Sequence, residues 1–121
     1  YMNENDLKFL SKHSSLGSHG SSHIPLSKIP LNQAQLEIRE SIKYLEELTN
    51  VQIFSFSYPY GGVDAVDYGL KDLFVGTNLV FALTMWRGLN LNKNMKKPFF
   101  LNRVDTNDAP GGKYQSKEYV L

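Results

Sequence analysis

Cysteine is absent from the 121 residues, which excludes disulfides, thiolate metal sites and cysteine nucleophiles and leaves the redox compartment open. Long apolar runs are absent too. The longest, Leu79 to Leu83, falls far short of the roughly 20 residues of a membrane-spanning helix. An excess of one charge is also missing. Thirteen Lys+Arg face 12 Asp+Glu, so net charge gives no drive toward nucleic acid or an anionic membrane surface. The one basic knot, Lys93, Lys96 and Lys97, is too small to supply it. The opening residues Asn3, Glu4, Asn5 and Asp6 are polar and carry no signal-peptide apolar region, and Tyr1 does not look like a native start. Length is short as well. A closed (β/α)8 barrel takes roughly 250 residues and one βα repeat roughly 30, so this chain supplies about four units and not a whole barrel.

What is present is an alternation of helix and strand patterns. Asn5 can cap a short helix running to Lys12, with Leu7, Phe9 and Leu10 on or near one face. The tract Ser14 to His23 follows, in which two glycines and five serines break the helix; within it Leu16 to His19 can form a short buried strand. After Pro30, the residues Leu31, Ala34, Ile38, Ile42, Leu45 and Leu48 recur at helical spacing and lay one apolar stripe along about five turns. Asn32 with Gln35 resembles a capping box, and Asn50 suits the stop. Val51 to Ser57 reads as a strand, Asp64 to Phe74 as a helix stopped by Gly76, Leu79 to Thr84 as a buried strand and Phe99 to Val104 as another. The alternation predicts an α/β fold whose mostly parallel strands are covered by helices. In such folds chemistry gathers at the carboxyl ends of strands, so the loops His19 to His23 and Tyr58 to Gly62 should converge.

Two clusters carry chemical potential. His19 and His23 form an H-x-x-x-H pair. Neutral imidazoles are good zinc ligands, but a catalytic site needs a third protein ligand and an open position for water, and a surface loop with two solvated histidines has the same spacing. Gly17 and Gly20 permit tight turns, Ser18, Ser21 and Ser22 can orient rings, and Pro25 blocks a helix, so a turn must bring the rings together. His13 reads as a solvated residue at a helix end. The second cluster is Tyr58-Pro59-Tyr60-Gly61-Gly62. It can present a backbone N–H beside an apolar wall, or simply cover a core edge as a strand-to-helix turn.

Taken together, Leu16-Gly17-Ser18-His19-Gly20-Ser21-Ser22-His23-Ile24-Pro25-Leu26, the helix ending Tyr44-Leu45-Glu46-Glu47-Leu48-Thr49, and Phe54-Ser55-Phe56-Ser57-Tyr58-Pro59-Tyr60-Gly61 resemble the NodB-type polysaccharide deacetylases, carbohydrate esterase family 4. The similarity runs from about Tyr1 to Asp108. Thr84 to Asn90 and Leu101-Asn102-Arg103-Val104-Asp105 look like segments after the fifth strand in bacterial members with a tyrosine-proline-tyrosine-glycine loop. The resemblance implies a partial (β/α) barrel over residues 1–108, with N-terminal strands missing and a loosely structured tail over 109–121. It implies a metal-dependent hydrolase that removes acetyl groups from an N- or O-acetylated polysaccharide or oligosaccharide. By position, His19 and His23 become ligands of a divalent metal, taken as zinc, and Ser22 steadies their loop. The Tyr60 N–H becomes an oxyanion donor, while Tyr58 and Pro59 shape the groove. Trp86 is placed either in the acetyl pocket or in the core. Arg103 pairs either with a catalytic carboxylate or in a surface salt bridge. By family, the setting is extracytoplasmic or cell-envelope associated in bacteria.

The departures matter as much. The family's paired aspartates, which supply the base and the third metal ligand, have no counterpart; Asp6 stands alone in a helical context, and no histidine follows His23 to act as acid. The expectation is therefore a piece of a longer enzyme, inactive by itself. A competing expectation is a non-catalytic carbohydrate-binding or interaction module that uses Tyr58, Tyr60 and Trp86 to stack on sugars. A further one is a homo-oligomer formed through exposed sheet edges.

Overall fold

The computed structural model describes residues 1–107 and 111–113. Helix α1 spans Glu4–His13 and is capped by Asn3 instead of Asn5. The Asn3 side chain accepts from the Asp6 N–H, and the Asp6 carboxylate accepts from the Asn3 N–H, both at 2.9 Å. This reciprocal box ties down two of the otherwise unpaired N–H groups of the first turn. His13 closes the last turn with its ring 4.6 Å from that of Phe9.

Helix α2 spans Leu31–Thr49, where the 3.6-residue stripe places it. It ends on Asn50 at φ +56°, whose N–H reaches the Glu46 carbonyl at 2.8 Å. Asparagine tolerates this left-handed conformation better than most residues. The start differs from expectation. Pro30 occupies the cap position, and Asn32 turns its side-chain oxygen to the neighbouring Gln33 N–H instead of forming a box with Gln35. Ala34 and Ile38 are fully buried, Ile42, Leu45 and Leu48 half-buried, and Leu31 exposed.

Three strands form the sheet: β1 (Ser55–Ser57), β2 (Phe81–Arg87) and β3 (Leu101–Arg103). They pair in the order β1-β2-β3, all parallel, as the helix–strand alternation requires. The fold is thus α/β, a partial barrel of parallel strands and covering helices. The segment around Leu16 to His19 contributes a single parallel bridge, Ser18 to Phe56. The helix expected over 64–74 condenses to a 3₁₀ turn at Tyr68–Asp72. There the Asp67 carboxylate takes the Gly69 N–H at 2.8 Å, a local bond that competes with helix propagation. Between β2 and β3 lie the four-residue helix α3 (Asn92–Met95) and a 3₁₀ turn at Pro98–Phe100, which shortens the strand expected to begin at Phe99. Most of the tail 109–121 lies outside the described residues.

Strand parity divides the sheet into two unlike faces. The register sets Phe56 beside Ala82 and Ser57 beside Leu83. On one face Phe56, Ala82 and Thr84 are buried and join Leu26, Ala34, Ile38, Val66, Leu73 and Phe74 in the core. On the other, Phe81 and Met85 are exposed and Leu83 half-buried. Parallel sheets are ordinarily covered on both sides; among the described residues this one is covered on one.

Tyr58 continues the buried side of β1, its N–H still in the ladder to the Leu83 carbonyl at 3.1 Å. Only 2% of it is exposed. Its ring packs edge-on to Phe56 and Phe74, and its hydroxyl donates to the Phe99 carbonyl at 2.9 Å. Burial, reinforced by the negative Asp67, pushes the phenol well above its usual pKa. Below pH about 10 it is protonated in both folded and unfolded chains. Above that the unfolded chain ionises first and binds fewer protons, so stability falls as pH rises. Tyr58→Phe should flatten this decline in urea unfolding between about pH 9 and 11, while costing about 1 kcal/mol at neutral pH for the lost bond. Tyr44, whose phenol donates to Glu4 and is raised chiefly by that bond, contributes to the slope that remains.

Candidate metal centre

The histidine loop leaves the sheet directly after the Ser18 bridge. Ser18 itself points to the helix side, where its buried hydroxyl lies 2.5 Å from that of Ser41 on α2. Gly20 at φ +86° and His23 at φ +51° then turn the chain back on itself. For a histidine this left-handed conformation costs roughly 1–2 kcal/mol, which the surroundings must offset. The result sets the His19 and His23 rings with centroids 4.8 Å apart, by a turn and not along a helix face. The His19 Nδ1 lies 2.6 Å from the Ser57 carbonyl. A carbonyl only accepts, so Nδ1 carries the proton, and in the neutral ring Nε2 then keeps a lone pair that can ligate a metal.

A residue not singled out in the sequence holds the other side of this loop. The Glu37 carboxylate on α2 accepts from the Ser21 N–H at 3.1 Å, the Ser22 N–H at 2.8 Å and the Ser22 hydroxyl at 2.9 Å. Ser22 therefore bonds to a helix and not to a ring. The one available signal was the position of Glu37 beside Ile38, at the edge of the buried stripe.

The second loop meets the first. Pro59 is fully buried, and a Cβ added at Gly20 would lie 3.6 Å from its ring. Tyr60 at φ +64° and Gly61 at φ +68° make two consecutive left-handed residues. Tyr60 is 61% exposed, with its ring 4.8 Å from that of His23, and its backbone N–H makes no hydrogen bond within the described residues. The remaining residues separate by parity. Arg103 lies on the open face and donates to the Ser57 hydroxyl; among the described residues it forms no ion pair with a carboxylate. Tyr58 faces the core instead of a groove. Trp86 likewise lies on the core side, its ring stacked on Phe100 and edge-on to Tyr68. Its indole N–H is buried without a partner among the described residues.

The donor set suits a metal in part. Two imidazoles from one loop, one of them with its tautomer fixed, fit two positions of a tetrahedral zinc site. Among the described residues no group of three histidine, aspartate or glutamate side chains comes together to complete it. Asp6 is committed to the cap of α1. Beside His19 a cleft of ≈ 660 Å³ is bordered by Gly17, Gly20, Glu40 and Tyr44.

The sequence model for polysaccharide deacetylases matches residues 4–71, a stretch that includes both loops. The chain belongs to the polysaccharide deacetylase family. Its fold is similar to that of the Streptococcus pyogenes deacetylase PplD in complex with acetate, at 19% identity and a TM-score of 0.75, over 85% of this chain and 44% of that one. A putative polysaccharide deacetylase from Bacillus anthracis, BA0330, aligns at 24% identity and a TM-score of 0.72, over 85% and 32% of the two chains. The BpsB deacetylase domain from Bordetella bronchiseptica aligns at 16% identity and a TM-score of 0.69, over 86% and 48%. The chain thus spans less than half the length of each of these deacetylases. No curated protein matches it in sequence. Polysaccharide deacetylases are hydrolases, and the family match covers the two loops that the fold brings together.

The turn at Gly61 sets their separation. A Cβ there would lie 2.9 Å from the Met85 backbone nitrogen and side chain, in addition to the strain of a positive φ. Gly62 has nothing within 4 Å. Gly61→Ala should therefore destabilise the chain by about 1–3 kcal/mol in thermal unfolding, whereas Gly62→Ala stays within about 0.5 kcal/mol of the parent.

Proposed function

We propose that this chain supplies the histidine half of a metal-dependent deacetylase acting on an N- or O-acetylated polysaccharide or oligosaccharide. The observation that carries the reading is the bond from His19 Nδ1 to the Ser57 carbonyl, because it leaves Nε2 free beside the His23 ring. A divalent ion such as zinc would there polarise the acetyl carbonyl and lower the pKa of a bound water. The chain's own residues do the positioning. His19 and His23 are ligands, and the Tyr60 N–H is an oxyanion donor, freed by the strained turn at Tyr60 and Gly61. Pro59 sits beneath Gly20 and fixes one loop against the other. Arg103 acts at one remove, through the hydroxyl of the residue whose carbonyl orients His19.

Coordination chemistry limits what these residues do alone. A catalytic zinc site takes three protein ligands and a water, and hydrolysis takes a base. The described residues bring two imidazoles and no carboxylate to the centre, so a third ligand and the base must come from elsewhere. The glycan-binding reading without chemistry loses two of its three aromatic platforms, since Tyr58 and Trp86 lie against the core.

Calorimetric titration with zinc tests the ligand assignment. The parent chain should take up about one ion weakly, and His19→Ala with His23→Ala should abolish uptake; equal uptake by the double variant would overturn the assignment. Acetate release from an acetylated chitooligosaccharide by the chain alone should stay near the uncatalysed background. Turnover at an ordinary enzymatic rate, on the order of 1 per second or more, would show that two imidazoles and the residues around them suffice.

A further inference from the structure

The histidine loop contains two left-handed residues within four positions, Gly20 and His23, and its serines, glycine and exposed imidazoles bury little apolar surface. Such a segment has small intrinsic preference for one conformation. Yet three donors from consecutive residues converge on one acceptor. The Ser21 N–H, the Ser22 N–H and the Ser22 hydroxyl all reach the Glu37 carboxylate, at 3.1, 2.8 and 2.9 Å. Both carboxylate oxygens are used: Oε2 by the two amides and Oε1 by the hydroxyl. A Cβ at Gly20 would approach the same carboxylate to 3.7 Å, so the loop closes over it. Glu37 is itself fixed, one residue before the fully buried Ile38 on a 19-residue helix.

We infer that Glu37 is the positioning residue that holds the His19–His23 loop in its ligand-presenting form before a metal arrives. The inference rests on the metal-site reading of His19 and His23. Hydrogen bonds to an ionised acceptor are stronger than those between neutral groups, and these three span the residues between the two imidazoles. The Ser57 carbonyl fixes the ring of His19; Glu37 fixes the backbone leading to His23. With both in place the two rings keep their spacing without a metal to hold it. Glu37 hydrogen-bonds to neither ring, so its effect passes through Ser21 and Ser22.

Two measurements on the full chain test this, with Glu37→Gln as the gentle variant and Glu37→Ala as the severe one. In the metal-free chain, amide hydrogen exchange at Ser21 and Ser22 should speed up by about tenfold or more in both variants. Exchange at Ile38 and Phe56, together with the melting temperature, should stay at parent values in Glu37→Gln. Zinc affinity in that variant should fall by about tenfold, the lower end of what loss of a supporting hydrogen bond costs a metal site. Unchanged exchange at Ser21 and Ser22 overturns the inference. So does faster loop exchange with parent zinc affinity, because the loop would then be held for some other purpose. If the parent chain takes up no zinc, the metal-site reading falls, and exchange alone decides whether Glu37 holds the loop.

Discussion

Two backbone hydrogen bonds, from the Ser18 N–H to the Ser55 carbonyl and from the Ser57 N–H to the Ser18 carbonyl, both 2.9 Å, lock the segment before the histidine loop against β1. They fix its register, and with a side-chain period of two a register fixes which face each residue serves. Ser18 turns inward to Ser41, Phe56 into the core, and His19 and Ser57 meet on the other side. A slip of one residue would bury the imidazole and expose the serine. The position of Ser57 at the end of β1 does further work, since its carbonyl takes His19 and its hydroxyl takes Arg103 from β3.

Strain gathers where these elements meet. Gly20, His23, Tyr60 and Gly61 all have positive φ, and two of the four are not glycine. Residues held in such conformations persist only where the surroundings over-determine them. Here the supports are identifiable: the Glu37 carboxylate under one loop, buried Pro59 under the other, and the bond from the Met85 N–H to the Gly61 carbonyl at 2.7 Å. At this left-handed turn the Tyr60 ring lies against that of His23.

The long helix was legible in the sequence because its apolar stripe repeats over five turns and ends on an asparagine suited to a left-handed stop. Three of the four expected strands were legible, with their direction but not their length, and the fourth, Leu16 to His19, pairs only through one bridge. Val51 to Phe54 carries the same apolar signal as β1 but pairs only in passing, with the Val80 N–H to the Phe54 carbonyl. The stretch over 64–74 has helical spacing, but its local Asp67 bond favours a tighter turn, and spacing does not register that competition. At the site, the two histidines and the tyrosine-proline-tyrosine-glycine loop could be read as motifs. Which way Tyr58 and Trp86 face could not, since that follows from pairing between strands distant in sequence. Glu37 stayed hidden for a related reason: its partners lie 15 and 16 residues away, across a tertiary contact.

The core-side position of Trp86 has a spectroscopic consequence. It is the single tryptophan of the chain, packed between Phe100 and Tyr68 with its indole N–H out of water. The His19 ring, next to Ser18 and bonded to the Ser57 carbonyl, belongs to the other side of the sheet. Tryptophan emission, excited at wavelengths that tyrosine does not absorb, therefore reports the layer between sheet and helices. The strand that carries this probe turns it into the packed layer.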